Sequence, residues 1–195
     1  MSTTMQQARR LAGQGRAARA PQTPVRRPIT VPATTPLRYV SFKHALNLRL
    51  PDEDTGGWHF DSAFFALSED DTRAVPLAGQ GPDTLADTTP QLGARGVRDM
   101  TEVAVAHGLF GAAEGRARGG FWVADHYRAI TDLAMLHLAD GEVPSIATPR
   151  EINAWLDTEE QIETLRRDYL APLGAALDGQ AREAFEGWFQ HVIWA

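Results

Sequence analysis

The chain has no cysteine, which removes disulfide frameworks, thiolate metal sites and cysteine nucleophiles. It also lacks any apolar run approaching the roughly 18 residues a spanning helix requires, and no charged-then-apolar leader opens it. Lysine is almost missing: Lys43 stands alone against 18 arginines, a ratio typical of a G+C-rich, bacterial coding sequence. Gly79-Gln80-Gly81 is no phosphate loop, because no Lys follows it and the strand-to-helix context is wanting; a Gly-x-Ser-x-Gly elbow does not occur. These absences lead us to expect a cytoplasmic protein that makes no membrane contact and carries no cofactor and no metal.

What is present is 195 residues, 43% apolar and 23% charged, with a net charge of −6, the profile of one globular domain with an appendage. The charge is divided. Residues 1–36 contain Arg9, Arg10, Arg16, Arg19, Arg26 and Arg27 and no acid, while the rest of the chain sets 13 basic residues against 25 acidic ones. The same stretch holds Pro21, Pro24, Pro28, Pro32 and Pro36 and few large apolar side chains, so it has little to offset the entropy of ordering. We read residues 1–36 as a disordered basic arm and residues 37–195 as a single domain. The arm is open to three readings: a solvated linker or overextended translation start, a phosphate-neutralising nucleic-acid contact, and a docking segment for an acidic surface, the chain's own body included. A transit peptide fits less well, since Ser2 is the arm's one serine.

The body reads as mainly α, an irregular helical domain with a small β element near residues 38–75. Val40, Phe42, His44, Leu46, Leu48 and Leu50 alternate as a half-buried strand would, yet Ser41 would also cap a short helix to Leu48; periodicity does not decide between them. Trp58–Leu67 is a short aromatic segment and residues 69–90 read as a long irregular loop. Val97, Met100, Val103 and Ala104 have helical spacing ending at Gly108, and Val123, Tyr127, Ile130 and Ala134 form one stripe of a helix over 121–139. Thr148-Pro149-Arg150-Glu151 is a capping-box signature, and Asp157-Thr158 before Glu160-Gln161 looks like a second start, so the chain should break near Asp157. Pro172 and Gly174 disturb the next pattern. A last helix aligns Ala181, Ala184, Phe185, Trp188, Phe189 and Val192, and the apolar end Val192–Ala195 either tucks into the core or meets another chain.

Candidate chemistry is sparse. His59 and Asp61 share one face if Trp58–Asp61 is extended, a geometry suited to a metal or a carboxylate-held base. His126 follows Asp125, which suits a helix start; His137, eleven residues on, lies about 16 Å along the axis and cannot share an ion with it. Arg38 and His44 fit a loose spacing known from helical RNA-cleaving domains, but roughly 1.7 such matches arise by chance in this composition. The acidic runs Asp52–Asp54 and Glu69–Asp71 lie in expected loops, where acids keep a surface solvated.

The reading preferred on these grounds is a non-catalytic interaction or regulatory accessory protein, antitoxin-like in economy. Its acidic helical body would bind a protein partner through Phe185, Trp188, Phe189 and Trp194, and its arm would touch nucleic acid through the six arginines. The alternative is a metal-dependent hydrolase or nuclease using His59, Asp61 and His126.

Overall fold

The computed structural model describes residues 32–50 and 75–194. The expectations placed on Arg9–Arg27, on Trp58–Leu67 with His59 and Asp61, and on the two acidic runs therefore lie outside the described residues. Within them the fold is mainly α with a small four-stranded sheet. In chain order the elements are β1 (Arg38–Val40), α1 (Phe42–Leu46), β2 (Leu77–Gly79), α2 (Thr89–Leu92), β3 (Val97–Asp99), α3 (Thr101–Ala106), α4 (Ala112–Ala117), β4 (Trp122–Ala124) and α5 (His126–Leu138). Then come α6 (Pro149–Trp155), α7 (Glu159–Thr164), a π-helical turn (Leu165–Leu170), α8 (Ala171–Ala176) and α9 (Gly179–Phe189).

The sheet runs β2-β1-β4-β3, with β1 and β4 parallel and the outer pairs antiparallel. Val40 and Val123, the central pair, have no exposure and sit at the middle of the core. The alternation at Val40–Leu50 resolves into both of its readings: a strand through Val40, a sharp turn at Ser41-Phe42 and a one-turn helix. Phe42 takes φ 60°, a left-handed conformation costly for a bulky side chain and held here by burial of its ring.

Three expectations need correction. The helix from Val97 is a strand first, Val97–Asp99 paired antiparallel to β4, and the helical part begins only at Thr101. Likewise, Trp122–Ala124 is a strand and the helix begins at His126, so the β element extends well beyond residues 38–75. Finally, the expected loop over 69–90 carries β2 in its described part. In each case the strand is three residues long, too short for a period of two to show, and in β3 and β4 its apolar residues also fall on the stripe of the helix that follows.

The helical half follows its local signals more closely. Both capping boxes form, Thr148 with Glu151 and Thr158 with Gln161, and the chain breaks between them at Leu156–Thr158. Pro172 sits inside a continuous helical run; it has no N–H to give and its ring crowds the carbonyl four residues earlier. That carbonyl, on Asp168, lies in the π-helical turn and accepts from Arg95 Nη1 at 2.9 Å, so the bond lost to proline is replaced from β3's side of the fold. The C-terminal segment tucks in as far as Val192. Arg166 Nη1 donates to the carbonyls of Phe189 and Val192, its guanidinium lies 4.2 Å from the Phe189 ring centroid, and Trp188 Nε1 donates to Ala147 O at 2.8 Å.

Candidate functional site

Two places gather polar chemistry among the described residues, and they differ in kind. The first is interior. Helix α5 carries Arg128 and Asp132 one turn apart, and neither side chain has any exposure. A buried carboxylate must be matched, and Asp132 is: Ser41 Oγ donates to Oδ2 at 2.6 Å, Thr88 Oγ1 donates to Oδ1, and Tyr39 Oη lies 3.4 Å from Oδ1. Arg128 Nε donates to Tyr39 Oη at 2.7 Å and stands 3.4 Å from Asp132 Oδ1, while Nη1 donates to the carbonyls of Gly93 and Arg95. One cluster thus ties β1, the turn at Ser41, the start of α2 and helix α5 together. Burial pushes the Asp132 carboxyl up against the opposing pull of Arg128 and the hydroxyl donors. Burial, and after it the charge of Asp132, likewise raises the Tyr39 phenol.

Beside this cluster Asp125 caps α5, accepting from Arg128 N at 2.8 Å and from Tyr169 Oη at 3.1 Å, with Arg98 Nη2 at 3.8 Å. Tyr169 comes from the π-helical turn and stacks on Tyr127 at 5.5 Å. Gly96, at φ +73°, lets the chain pass: a Cβ there would lie 2.7 Å from Asp125 Oδ1 and 2.9 Å from Arg128 Cβ. The polar side chains of this region bond mostly to one another and to backbone carbonyls, while Arg128 Nη2 is buried with no hydrogen-bond partner among the described residues. The arrangement positions β1, α2 and α5 relative to one another.

The second place is a surface cleft of about 630 Å³ between α3 and α4. Among its described lining residues the charged ones are Asp99 and Glu102; Val105 and Ala106 supply an apolar wall, and Gly119 and Gly120 close the far side. Asp99 Oδ1 accepts from the backbone N of Thr101 at 2.9 Å and from its hydroxyl, and Thr101 Oγ1 in turn accepts from Phe121 N at 2.8 Å. Gly120, at φ +101°, allows the Trp122 indole to cross over it and donate to Gly119 O at 2.9 Å; a Cβ on Gly120 would come 2.9 Å from that indole nitrogen. Thr34 is buried at this rim: its hydroxyl donates to Gly120 O at 3.2 Å and accepts from Trp122 N at 3.0 Å. Packing therefore reaches back to Thr34, and the basic segment enters the fold at the edge of an acidic cleft.

The sequence-derived candidates distribute as follows. His126 is buried at the first turn of α5, its Nε2 3.2 Å from Leu46 O. His137 lies 3.4 Å from Ser145 Oγ and 3.9 Å from Glu142. Arg38 is paired with Asp83 at 3.7 Å and donates to Ala33 O, an arrangement independent of His44. Phe185 and Trp188 are buried within the body, Phe189 is half-buried against Phe185 and Arg166, and Trp194 is exposed beside Ile193. No cluster of three metal-ligating side chains occurs among the described residues, and none of their helices is long and apolar enough to cross a membrane. Compared with protein families, curated proteins and solved structures, the chain finds no match in any of the three.

Sequence reasoning missed both places. The interior pair had a signal: from Ala129 to Ala134 helix α5 is apolar or small on nearly every side, so it must be buried all round, and two charges one turn apart within it must then face each other. The cleft had none, because Asp99 and Glu102 meet Gly119 and Gly120 only through the β3–β4 pairing.

Proposed function

We propose that the protein is a non-catalytic interaction or regulatory accessory protein: an acidic helical body that engages a protein partner, with a basic N-terminal arm that contacts nucleic acid. The observation carrying this reading is the division of charge, six arginines and no acid in residues 1–36 against 13 basic and 25 acidic residues in the rest. Two features of the body support it. Its fully buried Asp125, Arg128 and Asp132 are taken up in holding elements together. Its exposed large apolar residues include Ile193 and Trp194 at the C-terminal end, 53% and 42% exposed, the sort of side chains a protein partner covers.

The test is binding of duplex and single-stranded nucleic acid across a salt series, comparing the full chain with a full-length variant in which the six arm arginines are glutamine. Six phosphate contacts give log K against log salt a slope of about −5, and the variant should lose it. Equal slopes for the two proteins, or no binding by either, overturns the nucleic-acid part of the reading. For the partner, Trp194→Ala in the full chain should weaken recovery of a specific protein from the native host by at least tenfold while leaving the fold intact; undiminished recovery removes Trp194 from the interface.

A further inference from the structure

We infer that the cleft lined by Asp99 and Glu102 is a docking site for the chain's own Arg26-Arg27 pair, so that the basic segment rests on the body it belongs to when no polyanion is present. The inference builds on the reading of that segment as a cationic ligand, and it names the acidic surface the segment would use.

Three observations converge. The cleft has carboxylates at Asp99 and Glu102 as the charged groups among its described lining residues, and a wall formed by Val105 and Ala106 on which the methylenes of an arginine stem can lie. The basic segment is delivered to its edge, since Thr34 is fixed by hydrogen bonds to Gly120 and Trp122, and Gly120 is itself part of the lining. Reach is sufficient: Arg27 precedes Pro32 by five residues, a span of at most roughly 17 Å of extended chain. Tethering makes the encounter intramolecular, so contacts too weak to hold a free peptide gain from a high effective concentration. Planar guanidinium groups suit carboxylate acceptors, and Asp99 is pre-oriented by Thr101, which engages its Oδ1.

The absence of cysteine makes the test clean. Thr23→Cys in the full chain gives a single site for a nitroxide label, and paramagnetic broadening is read at the backbone amides of Val105, Ala112, Gly119 and Gly120 at low ionic strength. Docking predicts strong broadening there, reduced about fivefold in Asp99→Asn/Glu102→Gln, in which Asn retains the oxygen that Thr101 binds. Amides near the anchor, such as Thr35 and Leu37, should change little. Arg26→Gln/Arg27→Gln, which leaves the body untouched, should reproduce the loss. If broadening at the cleft is unchanged in both variants, the inference is wrong. It is equally wrong if a mixture of isotope-labelled and spin-labelled chains shows the broadening between molecules, which would make a second copy the source. Because no nucleic acid is present, failure here is distinct from failure of the salt-slope experiment.

Discussion

The same two chemical groups, guanidinium and carboxylate, meet in two very different settings. At Arg128–Asp132 both are fully buried, and the hydroxyls of Tyr39, Ser41 and Thr88 with the carbonyls of Gly93 and Arg95 meet their hydrogen-bonding groups, Arg128 Nη2 excepted. At Arg167–Asp168 the partners are sequence neighbours in the open, with a 2.7 Å contact between Nη2 and Oδ2. The shorter contact is the less consequential one. Water stands ready to replace it, and ordering two exposed side chains offsets most of its Coulomb energy. Arg128 and Asp132 have no such substitute, so removing one leaves an uncompensated charge in the interior. The surface carboxylates at Asp99 and Glu102 belong with the second class in stability terms, which is what leaves them available for a ligand.

The difference is largest, and easiest to break, at Asp132. Asp132→Ala should destabilise the fold by about 3–5 kcal/mol in urea unfolding, while Asp168→Ala should leave the midpoint unmoved. Equal effects would erase the distinction. Replacing both partners together, Arg128→Met with Asp132→Leu, should recover most of the loss, because the cost arises from the abandoned charge and less from the missing attraction. The pH dependence sharpens this further. Burial raises the Asp132 carboxyl above its unfolded value of 3.8, so the folded state holds that proton more tightly. Its contribution is therefore fullest below pH 3.8 and declines as pH rises toward the folded pKa; the stability gap between wild type and Asp132→Asn should narrow in that direction. Asp168 runs the other way. Its hydrogen bond and charge contact with Arg167 hold it below the ordinary carboxylate value, so whatever it contributes is present above that value and fades as acid is added.

A smaller effect is expected at Gly96, where the interior cluster constrains the backbone itself. Gly96→Ala forces a side chain into φ +73° and against Asp125 and Arg128, and should cost about 2 kcal/mol. Gly93, also at positive φ but with open space around the added carbon, is the control: its alanine variant should show only the backbone part, roughly 1 kcal/mol. Similar losses at the two glycines would mean that the cluster yields easily.

Legibility in the sequence followed the range of the interaction. The capping boxes at Thr148 and Thr158 are written in four consecutive residues each, and both form. Pro172 announces a disturbance, and the π-helical turn upstream of it is that disturbance, though the carbonyl partner Arg95 lies 73 residues away and leaves no local mark. Strands of three residues fall below the length at which alternation is visible, which is why β3 and β4 were absorbed into the helices that follow them. Arg128 and Asp132 look on paper like an ordinary solvent-facing pair one helical turn apart; only the apolar surroundings on every flank of α5 reveal that they are inside. The acidic cleft depends on register between strands distant in sequence, and no local pattern encodes it.

The mildest test compares the two capping boxes, since they are chemically alike and differ in exposure. At Thr148 the hydroxyl accepts from Glu151 N, the Glu151 carboxylate accepts from Thr148 N at 3.1 Å, and the neighbouring Ile152 is fully buried. At Thr158 the partner is the uncharged Gln161, and the box lies in solvent. Thr→Ala at either position should cost about 1 kcal/mol. Thr148 should be the more costly, because its box carries a charge-assisted bond and α6 meets the C-terminus through Asn153 Nδ2 to Ile193 O. Amide exchange at Glu151 and Gln161 reads each cap directly: Thr148→Ala should accelerate exchange at Glu151 and also disturb the signals of Ile193 and Trp194, whereas Thr158→Ala should act on its own turn alone. If both variants behave as local fraying, α6 does not anchor the C-terminal end, and the exposed Trp194 is held by the Arg166 contacts at Phe189 and Val192 instead.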